Sequence, residues 1–375
     1  MAENETNNII MPDEKALVIS SSPHFHDGES VSRIMLLVIL SLLPGCFAGI
    51  YFFGLDALRV LLLCTAFCVG IEMLWCHFAG KPLDTWKDGS AAVTGILLGM
   101  NLSAAVPWWI CLIGSFIGIC LGKQVYGGLG HNPFNPALVA RVALLVGFPK
   151  LMTTWVPTRF MGENKLYESA IAVNKEIVEK SGVTLESIKS HTVPFLTSMY
   201  DGITCATPLG MVKTADAGAS NSSLYMDYFL GNVGGCLGET SVLALLAGGI
   251  FLICMKLIKW QTPVAYIGTV FIFTSIVHSA NPAITPDAFF HVLTGGLFLG
   301  AFFMATDMVT TPMTGKGSFI FGMGCGIVTC LIRIWGNYPE GVSFSILFMN
   351  AWVPLIDRFT ALKPFGSRKA VKGKA

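Results

Sequence analysis

Hydrophobic positions along this chain fall in long, nearly unbroken runs separated by short polar turns. Runs of membrane-spanning length cover residues 33–53, 57–79, 90–104, 107–125, 136–149, 239–258, 263–280, 287–305, 317–335 and 341–356. Two of them, 90–104 and 136–149, are short for a bilayer. Short spans are tolerated where protein covers their ends, and in transporters they mark binding sites. The connections are short except one, from about 150 to 238. The pattern predicts an all-α polytopic membrane protein with about ten transmembrane helices.

The two halves of that pattern resemble each other. "GESVSRIMLL" (28–37) precedes the first span and "GETSVLALLA" (238–247) opens the sixth. "DGSAAVTGILLG" (88–99) answers "DAFFHVLTGGLFLG" (287–300), and "KQVYGGLGHNPFNPA" (123–137) answers "RIWGNYPEGVS" (333–343) with gaps. Repeats with an odd number of spans must enter the bilayer in opposite senses. The expectation is therefore two inverted five-helix repeats, at 31–149 and 239–357. Around them lie an N-terminal segment (1–30), a long loop (150–238) and a basic tail (358–375).

Composition strengthens the membrane reading. Only 13% of the 375 residues are charged and 53% are hydrophobic, about half the charge of soluble domains, and mean hydropathy is +0.65. The net charge of +1 gives no bulk attraction to nucleic acid. The start, MAENETNNIIMPDEK, lacks a basic region leading into an apolar core, so no cleaved signal peptide is expected.

Lysine and arginine fix the predicted orientation. With the N-terminus cytoplasmic, the inner connections hold Lys15, Arg33, Lys81, Lys87, Lys123, Lys256, Lys259, Lys316 and the basic residues of the tail. The short outer ones hold only Arg59 and Arg333. Both termini are then inside, and the long loop lies outside.

Eleven cysteines form no C-x-x-C pair, and most sit in or beside apolar runs, where they read as small buried residues. Cys64 and Cys68 share a helix face, but a metal there needs thiolates from a partner. The seven histidines show no ligand spacing, and no phosphate loop, nucleophile elbow or nucleotide-binding glycine pattern appears.

Three acidic residues lie in or beside spans: Glu72, Asp307 and Asp357. Burying a carboxylate in hydrocarbon costs about 2.5–3.5 kcal/mol on insertion scales. Each reads either as part of a cation pathway or as a carboxylate paired near the interface, as Asp357 beside Arg358 suggests. "GLGHNPFNPALVARVALL" places Asn135 as helix cap and Pro136 in the first turn, with Asn132 just before. A helix start inside the protein suits an anion or a polarisable ring, though simple capping is the plainer reading of this stretch alone. "TPDAFFHVLTGG" repeats the device, with Thr285 as cap, Pro286 in the first turn, Asp287 beside the dipole and Thr294 further on. In "DGITCATPL" (201–209), Thr207 precedes a proline and is biased to extended geometry, an ordinary loop threonine on its chemistry alone.

Taken together, "SSPH" (21–24), "SRIMLLV" (32–38), "GGLGHNPFNPA" (127–137), "DGITCATPL" (201–209), "FFMATDMVT" (302–310) and "YPEGVSFSILFMN" (338–350) resemble the family of Rnf electron-transport D subunits. The B subunits of sodium-pumping NADH:quinone oxidoreductases are a more distant likeness. The resemblance covers roughly residues 19 to 366. It implies FMN joined through its phosphate to a threonine of a Ser/Thr-x-Ala-Thr motif, which here reads Thr204-Cys205-Ala206-Thr207. Thr207 is then the flavin-bearing residue, and Cys205 stands where glycine is commonest. The helix starts at Asn132–Pro136 and Asp287–Thr294, with Asn132, Asn135 and Thr294 foremost, are then candidates for cradling the flavin ring or a second, non-covalent flavin, which the resemblance suggests is riboflavin.

Further implications are assembly with the A, B, C, E and FMN-bearing G subunits of an Rnf complex, a flavin transferase for maturation, and a place in the bacterial inner membrane. The complex so implied passes electrons between reduced ferredoxin and NAD, coupled to Na⁺ or H⁺ movement, and this chain binds no NAD itself. The competing readings are an inverted-repeat solute transporter or channel without a redox role, and a scaffold that carries no electrons.

Overall fold

A computed structural model describes residues 30–80, 87–156, 158, 160, 207–213, 224–282 and 285–361. Every described segment with regular structure is helical. Ten principal helices follow the ten hydrophobic runs. They are α1 (Val31–Phe53), α2 (Leu55–Phe78), α3 (Ser90–Met100), α4 (Trp108–Phe116), α5 (Pro136–Gly147), α6 (Val242–Cys254), α7 (Gln261–Ala280), α8 (Ala288–Leu293), α9 (Gly315–Trp335) and α10 (Val342–Thr360). Among the described residues, α1, α2, α7 and α9 are the helices long and apolar enough to cross a bilayer.

The helix starts are written in the local sequence. Ser30, Asn135, Ser241 and Thr314 each accept a backbone N–H from the first turn of α1, α5, α6 and α9. At α8 the expectation needs correction. Asp287, not Thr285, is the cap and accepts the Ala288 N–H at 2.7 Å. Thr285 lies outside the helix and bonds the His291 ring instead, at 2.6 Å. The Asp287 carboxylate reaches the first free N–H directly, so the helix starts after Pro286 and not at it.

The eighth hydrophobic run is broken rather than continuous. α8 stops at Thr294, Gly295 takes φ +74°, and helix resumes at Leu297–Leu299 before a π-helical turn, Gly300–Met304. α4 also ends in π-helix, Ile117–Gln124. Such wide turns leave ladder groups and side chains displaced, and they gather at functional sites.

Neighbours recur between the halves. α2 packs on α3 and α4, and α7 packs on α8 and α9; α4 with its π-turn adjoins α5, and α9 adjoins α10. The halves meet where α1 crosses α6 and α5 meets α10. The α1–α6 crossing requires glycine, because a Cβ on Gly248 would stand 2.0 Å from the Ser41 carbonyl oxygen. One core unites both halves, including Leu42, Leu98, Leu138, Tyr266, Leu297 and Phe321.

The bundle has two distinct ends. The proximal end gathers the start of α1, the π-turns after α4 and α8, the start of α5 and the end of α6. The distal end gathers the end of α9, the starts of α8 and α10, and the short helices Pro208–Lys213 and Tyr225–Leu230.

Candidate functional site: two cavities at opposite ends

The distal cavity is narrow and is walled by Thr207, Leu209, Tyr228, Glu239, Thr294 and Gly295, among others. Thr207 stands at the start of the helix Pro208–Lys213, and its Oγ1 accepts the Gly210 N–H at 3.1 Å. Proline at the first helical position favours this arrangement, because its missing N–H is not needed there. Thr207 is only 5% exposed, so the open loop threonine expected from sequence is replaced by one packed into the bundle. Thr204 and Cys205 lie outside the described residues.

The short helix is stapled to the α9–α10 connection by Lys213. Its Nζ donates to the carbonyls of Tyr338 at 2.6 Å, Ile332 at 3.5 Å and Gly336. Partial burial lowers the Lys213 pKa from the ordinary lysine value. Thr294 closes α8, its hydroxyl donating to the Phe290 carbonyl at 2.6 Å. Its own carbonyl accepts from Arg333 at 3.2 Å. The fold thus brings together Thr207 and Thr294, which are 87 positions apart in the chain.

Behind this cavity lies a buried ionic cluster that the sequence reading missed. Arg141, midway along α5, donates to Glu340 at 2.9 Å and lies 3.7 Å from Glu239. The same guanidinium reaches the Asn101 backbone carbonyl, the Asn101 side-chain oxygen at 3.1 Å and Cys236 Sγ at 3.1 Å. Arg333, expected from sequence to be an exposed outer residue, is 4% exposed and holds the His291 and Thr294 carbonyls. The signal was present in the sequence. An arginine interrupts the apolar run "PALVARVALL", and Gly-Glu or Glu-Gly pairs stand at the entrance to α6 and α10.

The proximal cavity is larger, about 100 Å³, and mostly apolar, with Lys123, Asn132, Asn135 and Asp307 in its wall beside Phe302 and Phe303. Asn135 does what capping predicts, accepting the Ala137 and Leu138 N–H groups, and also donates to the Met304 carbonyl at 3.3 Å. Asn132 donates to the Phe134 carbonyl at 3.1 Å, while its buried side-chain oxygen has no hydrogen-bond partner. A buried acceptor left open on a cavity wall suits a ligand bearing an N–H or O–H. Asp307 accepts from the Thr310 hydroxyl at 3.2 Å.

Glu72 and Asp357 have local partners. Glu72 accepts from Lys123 Nζ at 2.6 Å and Gln124 at 2.9 Å, with Lys123 also donating to Ser90 at 2.7 Å. Lys123 is 2% exposed, so it is an interior counter-ion and not the surface charge that its place in an inner connection suggests. Asp357 pairs with the Met313 N–H at 3.0 Å, tying α10 to the loop before α9.

The two cavities are linked by Asn101 at the end of α3. Its side-chain oxygen accepts from Arg141, and its nitrogen donates to the Leu97 carbonyl at 2.7 Å and faces Met304 Sδ at 3.7 Å. Met304 in turn presents its carbonyl to Asn135.

The family model described as "NQR2, RnfD, RnfE family" matches residues 18–366. A relative from Clostridium ljungdahlii, the D subunit of a proton-translocating ferredoxin:NAD(+) oxidoreductase complex, is 43% identical over 94% of this chain and 96% of its own length. One from Stutzerimonas stutzeri, the D subunit of an ion-translocating oxidoreductase complex, is 40% identical over 90% of this chain and 93% of the relative. The D subunit of the Na(+)-translocating ferredoxin:NAD(+) oxidoreductase complex of Acetobacterium woodii is 39% identical over 96% and 98%.

Proposed function

Because this chain belongs to the NQR2, RnfD, RnfE family, we propose that it is the flavin-carrying membrane subunit of an Rnf-type complex. In this reading it relays electrons between reduced ferredoxin and NAD, coupled to cation movement. FMN is esterified through its phosphate to Thr207. The observation that carries the reading is the placement of Thr207 in the wall of a buried cavity, although it lies in a segment whose sequence reads as a loop.

The residues present fit the group. Thr207 Oγ1 serves as an acceptor for Gly210, a role an ester oxygen retains. Thr294, Leu209 and Tyr228 supply a mixed apolar and polar wall. When bound, the flavin supplies one- and two-electron chemistry. The chain's own residues would anchor it at Thr207, with Tyr228, held edge-on against Phe290 at 5.8 Å, forming part of the wall. Since Thr207 is packed, the transferase must act before this segment docks.

The proximal cavity is the proposed place of the non-covalent flavin, riboflavin. Asn132 offers its open oxygen there, and Phe302 and Phe303 line the apolar wall. Asn101 lies between the two cavities. Asp307, on the proximal wall, is the proposed ion-handling carboxylate; Glu72 and Asp357, each with a firm partner, serve structure first.

The same reading places the chain in the bacterial inner membrane as two inverted repeats, with both termini cytoplasmic and Thr207 on the outer side. There it joins the A, B, C, E and flavin-bearing G subunits. Relatives named for protons and for Na⁺ are about equally similar to it, so overall identity does not select the ion.

The test is ultraviolet fluorescence of the denatured chain in a gel after co-production with the flavin transferase. The expected result is a fluorescent band that Thr207→Val abolishes, with the flavin mass on the Thr207 peptide. A dark wild-type band overturns the proposal and favours a transporter or channel.

A further inference from the structure

The Arg141 cluster contains two carboxyls and a single guanidinium placed to face both, and its hydrogen bonds are shared unequally. Glu340 is fully provided as a carboxylate, accepting from Arg141 at 2.9 Å through one oxygen and from the Gly296 N–H through the other. Arg141 uses its other terminal nitrogen, Nη1, on Asn101 and Cys236. Glu239 is left 3.7 Å from the guanidinium, beyond hydrogen-bonding distance, with its buried Oε1 unpartnered. Its side chain is 8% exposed, and it lines the same cavity as Thr207.

A second negative charge in this position would have little water around it and one oxygen without a hydrogen bond. Arg333, the other cation nearby, is committed to the His291 and Thr294 carbonyls. Two carboxyls sharing one site do not both ionise easily, and both guanidiniums favour charge on Glu340, Arg141 through a hydrogen bond at 2.9 Å and Arg333 through its nearby charge. The partner assignment decides which carboxyl keeps a proton: Glu340 stays ionised and Glu239 carries the proton. Once Glu239 loses that proton, Arg141 is close enough to stabilise the resulting carboxylate.

We propose that Glu239 is the proton-exchanging group of the distal cavity, holding a proton on its carboxyl and passing it to the occupant of that cavity when the occupant is reduced. The inference rests on the flavin reading above and names a working residue for it. The balance is simple. Electrons arrive from a flavin carrier of a neighbouring subunit and one proton leaves the Glu239 O–H for the reduced occupant; Glu239 takes a replacement proton from the medium, and one proton returns to the medium when the electrons leave. No other bond in the protein is made or broken. Arg141, Glu340 and Cys236 act on Glu239 by charge and hydrogen bonding, and are positioning residues.

The experiment uses the intact purified complex, titrated electrochemically at several pH values while the absorbance of the Thr207-linked flavin is followed. In wild type the midpoint potential falls as pH rises. In Glu239→Gln that slope should drop by about half or more, because the reduced occupant is left without its proton donor and stays anionic. The redox-difference infrared spectrum should also lose the carbonyl band of a protonated carboxylic acid. Glu239→Asp, which keeps a titrating carboxyl, should restore both signals in part.

A Glu239→Gln complex with normal covalent flavin and wild-type pH dependence overturns the inference and leaves the flavin reading intact. Absence of covalent flavin from the wild-type chain overturns the reading beneath it. If Glu239→Gln fails to assemble, Glu239→Asp alone decides: an infrared band unchanged from wild type in position and redox response overturns the proposal, and a shifted one supports it.

Discussion

Replacing Arg141 with leucine tests the buried cluster most directly. The guanidinium is 5% exposed and joins α5 to Glu340 before α10, to Asn101 after α3 and to Cys236 before α6. Leucine removes all of these bonds and leaves the Glu340 carboxylate with the hydrogen bond from the Gly296 N–H. Removing one partner of a buried pair costs about 3–5 kcal/mol, most of it the penalty of stranding the other charge. Glu340→Gln keeps a hydrogen-bonding group and should cost about 1–3 kcal/mol. The double variant strands no charge at this position, so its cost should fall short of the sum by about 2 kcal/mol or more. The assay is reversible unfolding of the purified chain in mixed micelles with increasing sodium dodecyl sulfate, followed by tryptophan fluorescence. Strict additivity, within about 0.5 kcal/mol, would refute the claim that the cost arises from an unpaired buried charge.

Lys123→Met and Glu72→Gln should each cost about 3–5 kcal/mol in the same assay, since each strands one buried charge of the 2.6 Å pair, and the double variant should cost less than their sum; strictly additive losses would contradict a charged pair. Gly248→Val should destabilise the bundle by at least about 1–3 kcal/mol, since even a single Cβ would collide with the Ser41 carbonyl at 2.0 Å, and a variant that melts like wild type would refute the α1–α6 crossing. Asn132→Leu should weaken retention of non-covalent flavin about 2- to 10-fold, the worth of one ordinary hydrogen bond, measured by flavin released after denaturation; full retention would remove Asn132 from that site. Asp307→Asn should slow ion transport in reconstituted vesicles more than it lowers assembly, and unchanged ion-dependent activity would retire that role.

The sequence alone determined where the helices lie, because a spanning helix must supply about 20 apolar residues, and because Ser30, Asn135, Ser241 and Thr314 mark their starts through bonds made within one turn. Thr207 was visible only through the family motif; nothing in its own chemistry distinguishes it from another threonine before proline. Tertiary structure decided what the spacing of residues along the chain cannot encode. It set Thr207 beside Thr294 in one cavity, made Lys123 the buried partner of Glu72, and broke the eighth run at Gly295. It also drew Arg141, Glu239 and Glu340 together from positions 98 and 199 residues beyond the arginine. Hydrophobic runs reveal which segments leave water, but the pairing of the few charges they carry depends on which helix faces which, and that is fixed only when the whole bundle packs.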